Sequence, residues 1–270
     1  MNLTFDPMEV ASMLGMAAAW VMLLMFSLWG AATILRNAGL AGIGWAFGLV
    51  SLSAIYFVHT DGYVPRQLMM FIMAVVWGCR LSFVLLWRMV KDHKEDPRSR
   101  KMRKGPEAQQ HLKLLVFFQL QGLFSFILSV PFLVMALNPR PGISWIEWLG
   151  FGIWMAAVAG ETIADDQLRV FKLNPANRGR VCNVGLWNYS RHPNYFFEWL
   201  VWVSFFVAAL GSPFGWTAII CPTLMLYFLL AVSGVPPTEE QSLQSRGEAY
   251  REYQRTTSMF IPLPKKLGRA

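Results

Sequence analysis

A cluster of polar residues at the start of a long apolar run is the part of this sequence best suited to chemistry. Residues 185–198 read Gly-Leu-Trp-Asn-Tyr-Ser-Arg-His-Pro-Asn-Tyr-Phe-Phe-Glu. Placing the carboxylate of Glu198 in hydrocarbon costs at least about 2.5 kcal/mol, so an ionisable residue there indicates a functional site. Pro193 is typical of a first helical turn, where free N–H groups attract anions. Because Arg191 and His192 precede this turn, the sequence predicts a phosphate-binding site.

Polar residues on both sides of this motif extend the predicted site. Asn194 and Glu198 lie four residues apart, so they share one helix face, which we expect to point into the protein. Arg178 and Arg180 precede the motif, and guanidinium groups pair with phosphates in a bidentate way. Ordinary positive charge on the cytosolic side would also explain these two arginines, but it would not explain Asn194 and Glu198.

A second set of polar residues ends an earlier apolar block. Glu161, Asp165 and Arg169 follow one another at four-residue steps, so they lie along one helix face. They belong either to the same site or to an ion-paired helix end just inside the membrane interface.

The carboxyl-terminal tail is predicted to contain a short interfacial helix. Thr238 and Gln241, three residues apart, form a capping-box signature, which predicts that this helix begins at Thr238. Tyr253 follows, and it belongs either to the site or to the membrane interface, where tyrosine is common.

The composition predicts an all-α, multi-spanning membrane helical bundle. Hydrophobic residues make up 55% of the 270-residue chain and charged residues only 15%. The first apolar block lacks a preceding basic segment and is too long for a signal peptide, so we interpret it as a retained span. About seven blocks approach the length of about 20 residues that a transmembrane helix needs: Val10–Leu35, Gly39–Val58, Pro65–Val90, Leu112–Leu137, Ser144–Ala164, Asn194–Leu210 and Pro213–Val232.

Lysine and arginine are distributed asymmetrically between the loops. Of the 24, all but Arg66, Arg80, Arg88 and Arg140 lie in alternate segments that would share one side of the membrane. Because basic residues mark the cytoplasmic side, we expect the amino terminus outside and the carboxyl terminus in the cytoplasm, in a bacterial inner membrane. This topology accounts for the net charge of +8 without a nucleic-acid partner, and the basic loops would contact membrane lipids. The sequence carries no signal of oligomeric state.

Cysteine and histidine do not form a recognisable ligand pattern. Cys79, Cys182 and Cys221 are scattered, and the four histidines show no metal-binding spacing. The sequence therefore predicts neither a disulfide framework nor a metal site.

The motif and its surroundings resemble the steroid 5-alpha-reductase family, and above all its bacterial branch of membrane proteins of undefined function. The likeness covers roughly residues 60–265 and is strongest over 160–262. The residues that carry it are Gly185-Leu186-Trp187, Ser190-Arg191-His192-Pro193-Asn194-Tyr195, Glu198, Asp165, Leu168-Arg169, Tyr253, Ile261-Pro262 and, in the long basic loop, Glu95-Asp96-Pro97-Arg98.

This resemblance implies an enzyme that binds NADPH from the cytosol and reduces a carbon–carbon double bond conjugated to a carbonyl in a lipophilic small molecule. It implies one membrane domain, with residues 1–111 on the substrate side and 112–270 binding the cofactor. By the resemblance, the cofactor contacts are Arg80, Arg88, Lys91, Glu161, Asp165, Lys172, Arg180, Asn194, Glu198 and Tyr253. The motif and its neighbours add Arg169, Arg178, Tyr189, Arg191, His192 and Tyr195.

The proton donor is the point at which the sequence departs from that family. The steroid reductases have a Gln-Glu pair and a tyrosine in their second and third spans, where this chain has residues 56–63 and Trp77. Tyr56 and His59 lie three residues apart on one helix face and could jointly donate a proton, with Asp61 close by in sequence. Alternatively, His59 is a structural residue at the outer membrane edge.

Two other classes of protein share some of these features. The Arg-His-Pro-x-Tyr element and the Glu-Glu tail also occur in isoprenylcysteine and phospholipid methyltransferases, which bind S-adenosylmethionine. That cofactor has no phosphates for the arginines to bind, which favours the reductase. A transporter or scaffold is less consistent with polar residues that gather at one membrane face, because transporter sites usually lie near the bilayer midplane.

Overall fold

The computed structural model describes residues 7–92 and 106–265 of the chain. These residues are helical and contain no β-strand, which confirms the predicted all-helical class, and Ser190 and Ser258 form an isolated bridge. The Glu95–Arg98 motif lies outside the described residues, as do the side chains of Arg88 and Lys91 at the end of the third helix.

The chain forms two compact units. The first comprises Met1–Ile143 and Gly211–Gly215, and the second comprises Ser144–Leu210 and Trp216–Ala270. The helices of the first unit are α1 (Pro7–Ile34), α2 (Leu40–His59), α3 (Val64–Asp92), α4 (Glu107–Leu128) and α5 (Val130–Ala136).

Small residues allow the helices of the first unit to approach closely. A Cβ atom at Gly44 of α2 would lie 2.3 Å from a methyl group of Leu28 on α1. On the opposite side, a Cβ atom at Gly78 of α3 would lie 2.4 Å from Val50 of α2. Glycine at such positions is typical of membrane helices, which associate mainly through close packing.

Five helical segments are long and apolar enough to cross a membrane. Large apolar side chains such as Leu23 and Phe26 are exposed on their outer surfaces, where they would contact lipid. These features indicate an integral membrane protein. Within the described residues the five segments are Met8–Ile34, Leu40–His59, Val64–Trp87, Gln109–Ala136 and Gly215–Arg246.

The second unit contains the other two predicted spans. They correspond to helix α6 (Trp145–Leu173), which carries Glu147 and Glu161, and helix α7 (Pro193–Ala209), which has only 17 residues. The carboxylates lower the hydropathy of α6, and α7 is short. Neither helix is therefore among the five segments that are long and apolar enough to cross a membrane. The helices of this unit are α6 (Trp145–Leu173), α7 (Pro193–Ala209), α8 (Ile220–Tyr227), α9 (Val235–Arg246) and α10 (Glu248–Thr256), with a π turn at Phe228–Val232.

Close glycine contacts hold α6 and α7 in an antiparallel register. A Cβ atom at Gly150 would lie 2.6 Å from the backbone nitrogen of Ala208, so only glycine fits there. Nearly three turns further along α6, a Cβ atom at Gly160 would lie 2.4 Å from the ring of Phe197. These two contacts fix which polar residues of α6 lie opposite those of α7.

A buried arginine fixes the loop that ends the first unit. Arg66, near the start of α3, is only 2% exposed. Its guanidinium donates to the carbonyl oxygens of Asn138 at 3.0 Å, Arg140 at 2.9 Å and Gly142 at 2.6 Å. Carbonyl groups that follow a helix need such donors when they lie away from water.

We expect Arg66→Ala to lower the free energy of unfolding by about 2 to 3 kcal/mol, because it leaves these carbonyl groups without their charged donor. The matched control is Arg140→Ala, which removes an exposed side chain from the same loop and should cost less than about 0.5 kcal/mol. Denaturation of the detergent-solubilised variants measures both values. Equal effects would contradict the assigned role of Arg66.

Candidate functional site

Buried and half-buried polar side chains lie between α6 and α7. The amide nitrogen of Asn194 donates to the carboxylate of Asp165 at 3.4 Å. The register of the two helices places Glu161 and Glu198 at one level, and these residues are only 4% and 8% exposed. Trp202 donates its indole N–H to Glu198 at 3.1 Å. The structure thus brings together Glu161, Asp165, Asn194 and Glu198, and their role in a site remains a prediction.

Beyond Asp165, the same face of α6 leads to a cavity of about 460 Å³. The cavity lies at the end of α6, is open on one side and is bordered by the loop that follows. Lys172, Arg178 and Arg180, which were predicted from sequence, line it together with Arg246 of α9. Its remaining lining residues are Leu168, Phe171, Leu173, Asn174, Pro175, Asn177, Gly179 and Cys182. Four cationic side chains around one cavity suit an anionic ligand such as a phosphate ester.

Arg246 positions the loop that carries two of these cations. Its Nε atom donates to the carbonyl oxygen of Arg180 at 2.9 Å, and its Nη1 atom donates to the hydroxyl of Ser242 at 3.3 Å. Arg246 is not among the residues predicted from the sequence. Its place in the last turn of α9, before Gly247, resembles an ordinary helix end, and no local pattern connects it to residues 172–182.

The thiol of Cys182 forms part of the cavity wall. Burial raises the pKa of this thiol, whereas a backbone hydrogen bond from Val184 and the charges of Lys172 and Arg246 lower it. Burial has the larger effect, so we expect a neutral thiol at physiological pH.

Arg191 and His192 interact with the tail of the protein. The Nε atom of Arg191 donates to Glu239 at 2.7 Å, and its Nη1 atom donates to the carbonyl oxygens of Gln254 and Thr257. The imidazole of His192 lies 3.3 Å from the same Glu239 oxygen. Gln254 donates to the other Glu239 oxygen at 2.9 Å. We call these four side chains, Arg191, His192, Glu239 and Gln254, the Glu239 cluster.

The remaining tail contacts hold residues 187–191 against the segment after α10. The Tyr253 hydroxyl donates to the carbonyl oxygens of Trp187 and Ser190. The backbone N–H of Arg191 donates to the carbonyl oxygen of Ser258 at 2.8 Å. The Ser190 hydroxyl donates to the carbonyl oxygen of Phe260 at 2.7 Å. Tyr253 therefore connects the tail to the motif through hydrogen bonds in this structure.

Three other predicted residues lie around this arrangement. The ring of Tyr195 stacks on His192, and its hydroxyl lies 3.1 Å from that of Thr238. Tyr189 is exposed. Arg169 is also exposed, and it pairs with Asp166 at 2.5 Å.

The predicted proton donors lie in the first unit. The Ser129 hydroxyl donates to the carbonyl oxygen of Phe126, so in the 2.9 Å bond between Tyr56 and Ser129 the proton comes from Tyr56. His59 is exposed, and its Nδ1 atom donates to the carbonyl oxygen of Ile55 at 2.9 Å. Asp61 is exposed in the following loop, and Arg80 is partly buried on α3. Their catalytic and cofactor roles remain predictions.

Fold and site together define a helical membrane protein with a cation-lined cavity at the end of a polar helix pair. The chain belongs to the DUF1295 family of proteins of unknown function, which it matches over residues 28–257. It is 24% identical over 264 residues to an uncharacterised protein of Schizosaccharomyces pombe, a match that covers 87% of this chain and 75% of the relative. No solved structure matches the chain. The cavity and the Glu239 cluster both lie within the region that defines the family.

Removal of the Glu239 carboxylate should destabilise the protein. Glu239→Ala leaves the buried guanidinium of Arg191 without its anion, and we expect a loss of about 3 kcal/mol in the free energy of unfolding. Glu240→Ala is the matched control, because Glu240 is the next residue on α9 and is exposed. Its expected cost is below about 0.5 kcal/mol. Thermal or chemical denaturation compares the two, and similar losses would contradict the role of Glu239.

Alkaline pH should weaken the contacts of the tail. Burial, with a contribution from the negative charge of Glu239, raises the pKa of Tyr250 from 10 to about 12. The folded state therefore favours the neutral phenol, whose stabilising contribution is complete below pH 10 and falls as the pH rises toward 12. The loss of stability between pH 10 and 12 should be smaller in Tyr250→Phe than in the wild type. Parallel curves of melting temperature against pH would contradict this.

Proposed function

We propose that the protein is an NADPH-dependent membrane reductase that transfers hydride to an activated carbon–carbon double bond (an enone) in a lipophilic, steroid- or isoprenoid-like substrate. One observation carries this proposal: a polar helix face runs from the buried carboxylates of Glu161 and Glu198 to a cavity lined by four cations. The resemblance of residues 160–262 to the steroid 5-alpha-reductase family agrees with it.

The arrangement of α6 suits a long ligand with phosphates at one end. Glu161, Asp165, Leu168 and Lys172 are spaced by four, three and four residues, so they share one face. Eleven residues separate Glu161 from Lys172, which corresponds to about 16 Å along the helix axis. A dinucleotide could therefore place its phosphates in the cavity while its other end lies beside the buried carboxylates.

The chemistry of the donors supports a phosphate-bearing cofactor. Lys172, Arg178, Arg180 and Arg246 would hold the phosphates of NADPH. When bound, this cofactor supplies a hydride to the electron-poor carbon of the enone. Asn194 and Asp165 would position the cofactor, and α6 and α7 would exclude water from the reacting end.

The predicted topology completes this proposal. We infer that α6 and α7 also cross the membrane, which gives seven spans with the amino terminus outside and the cavity in the cytoplasm. NADPH would then reach the cavity from the aqueous side, while a lipophilic substrate would come from the lipid of the inner membrane. Tyr56 and His59 remain the proposed proton donors, with Asp61 close by in sequence.

The alternative is a methyltransferase that binds S-adenosylmethionine. The Glu239 cluster joins the Arg-His-Pro-x-Tyr motif to the Glu-Glu pair, and both elements also occur in the methyltransferases. The cavity favours the reductase, because S-adenosylmethionine has a positive sulfonium and lacks phosphates.

Titration of the detergent-purified protein with NADPH, NADH and S-adenosylmethionine tests the proposal through the melting temperature. A ligand that binds only the folded state stabilises it by RT ln(1 + [L]/Kd). We expect NADPH to stabilise the wild type, and Lys172→Ala and Arg180→Ala each to weaken this binding about tenfold, or 1.4 kcal/mol. Arg251→Ala, an exposed arginine on α10, is the control and should bind normally. Stabilisation by S-adenosylmethionine instead would contradict the proposal.

A further inference from the structure

A buried indole N–H on helix α6 has no acceptor. Trp154 is only 6% exposed, and its Nε1 atom has no hydrogen-bond partner among the residues that the structure describes. Buried tryptophan N–H groups normally find a partner, because the water they lose must be replaced. A buried N–H without an acceptor calls for an explanation, and a ligand that accepts its hydrogen bond would provide one.

The other indoles of the second unit behave differently. Trp187 donates to the carbonyl oxygen of Ala164 at 2.8 Å, and Trp199 donates to that of Pro222 at 3.1 Å. Trp202 donates to Glu198. The remaining indoles in the described part of this unit, those of Trp145, Trp148 and Trp216, belong to side chains that are more than half exposed. Trp154 therefore stands out as both buried and without an acceptor.

Trp154 lies on the polar face of α6 at the end away from the cavity. It precedes Glu161 by seven residues and Asp165 by eleven, which places all three on one face. About 10 Å along the helix axis separates Trp154 from Glu161. The face thus runs from a lone N–H donor, through buried carboxylates, to the cation-lined cavity.

The surroundings of Trp154 are apolar. Its ring stacks on that of Phe151 at a centroid distance of 5.7 Å, and Gly150 and Ala157 are its buried neighbours along the same helix face. A charged ligand would be poorly solvated here. A neutral carbonyl oxygen on a hydrophobic body has the complementary chemistry, because it accepts one hydrogen bond and buries the rest of its surface.

We propose that the indole N–H of Trp154 binds the carbonyl oxygen of the lipophilic substrate. This inference rests on the proposed reductase function and identifies the residue that recognises the substrate oxygen. The indole does not give up its proton; it stabilises the negative charge that develops on the oxygen when hydride reaches the conjugated carbon. A proton from another donor completes the reduction.

Trp154→Phe tests the proposal, because it keeps an aromatic ring and removes the N–H. The probes are cholest-4-en-3-one and β-ionone, two enones of different size, with cholest-4-ene as the analogue without oxygen. We expect at least one enone to bind the wild type and to lose about 10- to 100-fold in affinity in Trp154→Phe. Affinity for cholest-4-ene should not change. Equal enone affinity in both proteins, or failure of both enones to bind the wild type, would overturn the proposal.

Stability of the ligand-free protein provides a second readout. Trp154→Phe and Trp199→Phe lose the same ring volume, but Trp154→Phe removes a donor without a partner, so it should lower the melting temperature less. Trp199→Phe is the matched control, because it removes an N–H that does have an acceptor, and it should lower the melting temperature by several degrees. An equal decrease in both variants would show that Trp154 already has an acceptor and would overturn the proposal.

NADPH binding separates the failure of this inference from the failure of the proposed function. NADPH should bind wild type and Trp154→Phe equally, because Trp154 lies far from the cavity. If NADPH binds and the enones do not distinguish the two proteins, only the role of Trp154 is wrong. If NADPH does not bind the wild type, the reductase function is wrong.

Discussion

Close antiparallel packing of α6 on α7 is the constraint on which the rest of the second unit depends. Gly150 and Gly160 allow this approach, since any side chain there would overlap Ala208 or Phe197. Once the register is fixed, the buried carboxylates of Glu161 and Glu198 lie at one level, and the connecting loop must turn back beyond the ends of both helices. The first part of that loop lines the cavity, and the Arg-His-Pro motif lies at its end. Carboxylates are costly to bury between two helices, so their presence indicates a function.

Two groups of cationic residues in the second unit have different roles. Arg191 is engaged by Glu239 and by two carbonyl groups of the tail, so it holds the motif and the tail together. Lys172, Arg178 and Arg180 line the cavity and are placed to meet a ligand. The loop between α6 and α7 has little apolar surface of its own to bury. Charge-assisted hydrogen bonds can supply the missing order.

Hydrophobic length and helix-terminus chemistry made the helices and the start of α7 predictable. Pro193 is the first residue of α7, as predicted. The predicted start of the tail helix at Thr238 was wrong: α9 begins at Val235, because Pro236 and Pro237 occupy its first turn and the Thr238 hydroxyl donates back to Gly234.

Glu161, Asp165 and Asn194 were found because a polar residue in an apolar block is a local signal. Arg246 and Trp154 were not, because their importance depends on contacts, or on a missing contact, between segments distant in sequence.

Hydrogen–deuterium exchange of the purified protein, with NADPH or S-adenosylmethionine added, tests the central claim most directly, because it reports where a ligand reduces local opening. If the cavity binds the phosphates of NADPH, this cofactor should slow exchange of the backbone amides in residues 168–182, around the cavity. S-adenosylmethionine should have no effect there. Protection of these residues by S-adenosylmethionine, or an NADPH effect confined to other parts of the chain, would contradict it.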